Sequence, residues 1–114
     1  LKITFKQNEE ETIAQIIALL ANKKVDAVLF ATNYLAISGL KALKQMGKKI
    51  DSNFSVIGYD DHEAFELHTP SISTIQQPLE EIAEAIIKLI LDQLSSKTKL
   101  PDQEIVIPAK LILR

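Results

Sequence analysis

DAVLFATNYLAISGLKALKQMG, residues Asp26 to Gly47, sets two apolar periodicities end to end, and the junction between them decides how the chain folds. Asp26 to Thr32 is a nearly continuous apolar run bounded by polar residues, the pattern of a parallel strand covered on both faces. From Tyr34 to Met46 the spacing changes: Ala36, Leu40 and Leu43 share one helical face, and Gly47 stands where a left-handed C-terminal residue belongs. Thr32 or Asn33 is the candidate N-cap between them. A strand that runs straight into a helix is half of a parallel crossover.

Working outward, the same alternation recurs on both sides. Upstream, Lys2 to Phe5 (KITF) is short and β-branched and reads as a strand, and Asn8 with Glu11 three residues on forms a capping-box pattern. Ile13, Ile16, Ile17 and Leu20 then recur at helical spacing, which predicts a helix over about residues 9 to 23. Downstream, Ser55 to Tyr59 is the third strand, so the order is βαβαβ. Ser73 to Gln77 is again extended, and Pro78 fits the first turn of a helix reaching about Leu94, with Leu79, Ile82, Ile86, Leu89 and Ile90 on one apolar face. Glu104 to Arg114 reads as two extended segments broken by Pro108. The fold class is therefore α/β, with helices flanking a parallel sheet in three layers.

The totals exclude several functions. The chain has 114 residues, 46% of them apolar, enough for one domain or a piece of one. Thirteen basic residues against fifteen acidic ones give a net charge of −2, which argues against a nucleic-acid surface on this segment. With no cysteine there is no disulfide framework, thiolate metal site or Cys nucleophile, and a reducing cytoplasmic setting fits. No apolar run approaches the roughly 20 residues that span a bilayer. The chain opens at Leu1 directly in a strand-like pattern, which reads as a piece of a longer protein.

Open parallel sheets bind ligands in the crevice outside the carboxyl ends of their strands. Two polar groups fall there: Thr32 and Asn33 after the second strand, Asp60 and Asp61 after the third. An ionised carboxylate accepts several hydrogen bonds at once, which suits the adjacent hydroxyls or ring N–H groups of a small polar ligand. Helix capping competes with that reading at each position, since Asp60 followed by Glu63 is also a capping-box pattern. An acid pair can also hold Mg²⁺, but a receiver-type site calls for a further acid near the end of the first strand, where Phe5, Lys6 and Gln7 stand. His62 and His68 lie six apart, not at the spacing that puts two imidazoles on one helical face, so they read as surface histidines and no metal site is expected. There is no G-x-S-x-G elbow, G-x-G-x-x-G fingerprint or P-loop, and no catalytic residue or cofactor is assigned.

Taken together, DAVLFATNYLAISGLKALKQMG, SVIGYDD at Ser55 to Asp61, TPSISTIQQP at Thr69 to Pro78 and the closing VIPAKLILR resemble the effector-binding core of the LacI/GalR family of bacterial transcription regulators. The blocks cover most of residues 26 to 114. The resemblance implies a type I periplasmic-binding-protein-like fold of two α/β lobes joined by three crossings, of which this chain is the C-terminal part. Residues 1–76 then form the C-terminal lobe, 77–107 supply a helix and a strand to the other lobe, and 108–114 return. It further implies that Asp60 is the cleft carboxylate that takes ligand hydroxyls. Thr32 and Asn33 stand where the family often has Asn-Asp, Gln77 is polar and close to the cleft at a crossing, and Asp61 caps the following turn.

The effector implied is a small molecule, by default a sugar, and a homodimer is implied through the helix of residues 34 to 46 and the segment His62 to His68, with Leu40, Leu43 and Phe65 as anchors or as core. DNA, as target of a repressor, would be met only by an N-terminal helix-turn-helix that no residue here resembles. The apolar helix of residues 79 to 94 is expected to pack on the other lobe, and in this chain either to pair with a second copy or to fold back on its own sheet. A periplasmic sugar-binding receptor of a transporter shares the fold and is the alternative reading. A Mg²⁺-dependent flavodoxin-like or receiver protein using Asp60 and Asp61 is the third.

Overall fold

The computed structural model describes residues 7–22, 24–96, 98 and 101–114. The strand expected at Lys2 to Phe5 lies outside these. The first helix, α1 (Glu9–Asn22), begins where the capping pattern places it, with the Glu11 amide donating to Asn8 Oδ1 at 2.8 Å. Next come β1 (Ala27–Phe30) and α2 (Asn33–Met46), and α2 ends on Gly47 at φ 63. That left-handed residue lets the amides of Gly47 and Lys48 reach the carbonyls of Lys44 and Leu43, closing the last turn.

The remaining elements are β2 (Ser55–Tyr59), a single short turn of helix α3 (Glu63–Leu67), β3 (Ser73–Gln76), α4 (Leu79–Ser95) and β4 (Lys110–Ile112). The sheet order is β1-β2-β3-β4. The first three strands are parallel, with Phe30 beside Gly58 and Gly58 beside Thr74, and β4 runs antiparallel along β3. Their parallel sense brings the carboxyl ends of β1, β2 and β3 to one edge.

Paired residues share a face, so Phe30, Gly58 and Thr74 look the same way, and all three are buried. On that side a single core gathers Ile13, Ile16 and Leu20 of α1, Ala36, Ala42 and Leu43 of α2, and Phe54, Val56, Phe65 and Ile72. Two glycines make room for aromatic rings: a Cβ on Gly39 would run into the Phe30 ring, and one on Gly58 would sit 3.2 Å from Phe65. The opposite face carries Leu29, Ile57 and Ile75, none of them buried. The run in β1 is thus apolar on both faces, as a doubly covered strand should be, while the described residues close only one.

Three expectations need correction. Leu43 and Phe65, considered as dimer anchors, are 2% and 0% exposed and belong to this core, because α2 and α3 turn those positions onto the sheet. Residues 105–107 form no strand, since no neighbouring strand stands beside them to complete a ladder, and Val106 is exposed. Nor does α4 fold back on the sheet: none of its residues is buried, although Leu79, Ile86, Ile87, Ile90, Leu91 and Leu94 are all apolar. The radius of gyration is 18.7 Å, against about 13 Å for a compact domain of this length, and the longest axis is 61 Å.

Candidate functional site

At the carboxyl edge of the parallel strands lies a cavity of about 620 Å³, lined by Asn33, Asp60, Asp61, Gln76, Gln77, Pro78, Leu79, Glu80, Glu81 and Lys110. Each wall comes from a strand end: Asn33 follows β1, Asp60 and Asp61 follow β2, and Gln77 follows β3. The first turn of α4 adds Glu80 and Glu81, and β4 adds Lys110 from its position opposite Gln76.

Thr32 and Asn33 part company here. The Thr32 hydroxyl oxygen accepts from the Leu35 amide at 3.2 Å and caps α2. With the cap supplied by Thr32, Asn33 opens the helix and lines the cavity, and Thr32 is not among the lining residues. The Thr32 expectation therefore resolves to the cap.

Asp60 and Asp61 separate as sharply. Asp60 has φ 65, the one non-glycine residue in the left-handed region among the described residues, and its amide donates to the Ile75 carbonyl at 2.9 Å. Its carboxylate accepts a hydrogen bond from Gln77 Nε2, so two of the expected site residues touch each other. Asp60 does not cap α3. That position belongs to His62, whose Nδ1 accepts from the Ala64 amide at 3.1 Å.

Asp61 does not cap the turn either. Its two carboxylate oxygens meet the two terminal nitrogens of Arg114 at 2.8 and 3.0 Å, and the Thr74 hydroxyl donates to Oδ1 at 2.9 Å. The Arg114 hydrogen bond holds the Asp61 carboxyl below the usual carboxylate range, against a smaller opposing effect of burial, with help from Thr74. Arg114 is raised in turn, chiefly by Asp61. Nothing in the sequence flagged Arg114, which lies 53 residues away from Asp61 along the chain. Lys110, Glu80 and Glu81 were missed for the same reason: their helix and strand were legible, but not the edge they reach.

A second concavity, about 570 Å³, runs between α2 and the segment after α3. Leu40 lies on it, half-buried, with Ile37, Ile50 and Pro70, and Lys41, Lys44, Lys48 and Lys49 rim it. Of the three expected anchors, Leu40 and Leu43 both line this concavity, and Leu40 is the more exposed of the two. His68, also there, contacts the Pro70 carbonyl through Nδ1 at 2.7 Å. Among the described residues no helix is long and apolar enough to cross a membrane.

Residues 3–114 match the periplasmic binding protein-like domain family. The HTH-type transcriptional repressor PurR of Escherichia fergusonii is 33% identical over 88 residues, which are 77% of this chain and 26% of that protein. Two solved structures are similar throughout. A LacI family transcriptional regulator from Enterococcus faecium with bound ribose has a TM-score of 0.74 at 28% identity, covering 94% of this chain and 39% of that one. Another from Arthrobacter sp. FB24, in complex with lactose, has a TM-score of 0.77 at 27% identity, covering 95% and 41%. The chain spans about a quarter of the length of the curated relatives it matches.

Proposed function

The chain belongs to the periplasmic binding protein-like domain family, in its group of LacI/GalR transcriptional regulators, and from that premise we propose that it supplies the effector-binding and dimerisation region of such a regulator, with a sugar as effector. The observation that carries this is the Asp60 carboxylate, set on a left-handed corner at the carboxyl edge of the parallel strands, with Asn33 and Gln77 lining the same cavity. A carboxylate accepts from two adjacent hydroxyls, and a neighbouring amide both donates and accepts, which matches the vicinal diol of a sugar. Charge narrows the class further. Arg114 neutralises Asp61, and Asp60, Glu80 and Glu81 then outnumber Lys110, so the cavity favours a neutral polyol over a phosphorylated one. The ribose and lactose held by two similar regulators support the same class.

In this reading residues 1–76 form one lobe, 77–107 belong to a second, and 108–114 return to the first. The uncovered α4 supports that division, since a helix with no buried residue needs a surface from elsewhere. The cleft closes when the second lobe supplies its other wall, and effector binding shifts the population between lobe arrangements, which reorients DNA readers at the protein's N-terminus. No catalytic step is required. Two copies meet through the α2 groove that carries Leu40, and the protein works in the cytoplasm, where its operator is.

The test is a thermal-shift screen of the full-length protein against ribose, lactose and cellobiose, followed by titration calorimetry on a sugar that stabilises it. Asp60→Ala should weaken that sugar by roughly 10- to 100-fold, the loss of hydrogen bonds to a charged group. Equal affinity in the variant would remove Asp60 from the site.

A further inference from the structure

We infer that Arg114, acting through Asp61, is a positioning residue that holds the Asp60 carboxylate in place in the cleft. The inference rests on the proposed role of Asp60, and it starts from an awkward backbone. Asp60 occupies the left-handed region, less favoured than extended backbone for a residue with a side chain, so contacts on either side help to fix it there.

Before the corner, the Asp60 amide is tied to the Ile75 carbonyl. After it, Asp61 is gripped by both terminal nitrogens of Arg114 and by Thr74, a fully buried residue. Arg114 is itself anchored to three consecutive residues: Nη1 donates to the Ile72 carbonyl and the Thr74 hydroxyl, both at 3.2 Å, and the backbone amide donates to Ser73 Oγ at 3.1 Å. Ser73 Oγ donates back to the Arg114 carbonyl at 3.4 Å. The Asp60 side chain then meets Gln77 of the same segment. Residues 72–77 thus hold the acid pair from both ends, and the left-handed corner is the span between.

The guanidinium is not needed to attach β4. The β3–β4 ladder and the backbone bonds of Arg114 to Ser73 already do that. What the side chain adds is the fork on Asp61, whose two parallel bonds fix the orientation of the carboxylate plane as well as its position. A lysine would keep the charge and lose the fork. The two side chains are 17% and 18% exposed, although both residues lie at the surface, so the pair is only partly sheltered from solvent.

Nuclear magnetic resonance on the isotope-labelled chain tests this without any ligand. In Arg114→Lys and in the isosteric Asp61→Asn, the Gln77 side-chain amide signals should move to solvent-exposed values. The Asp60 backbone amide should exchange roughly tenfold faster or more, while the amides of α2 keep their protection. Unchanged Gln77 and Asp60 signals in the variants would overturn the inference. So would changes that merely follow a general loss of protection in α2, which is what a purely structural clamp gives. Should one variant fail to fold, the other decides. Because no sugar enters, a failed sugar screen would leave this result standing, and an unmoved Gln77 would leave the sugar reading intact.

Discussion

Helices α2 and α4 make the instructive pair. Both are amphipathic in sequence, and α4 is the longer and more apolar. Yet α2 buries Ala36, Ser38, Gly39, Ala42 and Leu43, and α4 buries nothing. The difference lies in what each is connected to. α2 lies between two adjacent parallel strands, β1 and β2, so it must fold back onto them as a parallel crossover requires, whereas α4 joins β3 to an antiparallel return and is free of that constraint. An apolar stripe therefore states that a surface is needed without saying where the surface comes from.

The largest break in this comparison should come from the ring beneath α3. Phe65 is fully exposed to no solvent and fills the space above Gly58, so Phe65→Ala should cost about 3–5 kcal/mol in a urea melt. On α2, removing the cap by Thr32→Ala should cost about 1 kcal/mol by the same measurement, with the cavity lining unchanged. Acid should act through the Asp61–Arg114 pair, with a smaller effect. Asp61 titrates below its ordinary value when folded, so its contribution is complete above the unfolded pKa and disappears as the pH falls through the folded one. Thermal melts of wild type and Asp61→Asn should therefore differ at neutral pH and converge below roughly pH 4. The smallest effect belongs to α4. Ile90, 53% exposed, should change stability by less than about 0.5 kcal/mol when replaced by alanine, and a larger loss would mean that the arm is covered in solution.

Much of the fold was legible. The Asn8 cap, the left-handed Gly47, the strands at residues 27–30 and 55–59 and the long helix after Pro78 all follow from local patterns, because caps, turns and side-chain periodicity act over a few residues, whereas the sequence marked residues 73–76 as extended without placing them in the parallel sheet. The edge of the sheet was legible too, since a strand that passes into a helix announces where its carboxyl end is. It failed where two elements compete for one residue or where partners are distant. Thr32 and Asn33 were equal candidates for the cap until the backbone chose Thr32, and Leu40, Leu43 and Phe65 shared a pattern that only packing could divide.

The adjacent acids mark the limit most clearly. By itself the sequence determined that Asp60 and Asp61 would stand at the end of a buried strand, because apolar periodicity stops at Tyr59 and a short turn follows. The family resemblance already assigned them different work, and only the tertiary structure decided that Asp61 serves Arg114 rather than the following turn. Asp60 turns through a left-handed corner to meet Gln77, and Asp61 receives Arg114 from the last position of the chain. The physical reason is range. Periodicity and capping are set by neighbours in sequence, while a bidentate ion pair depends on a strand that returns antiparallel after the whole of α4, and no local pattern encodes that distance.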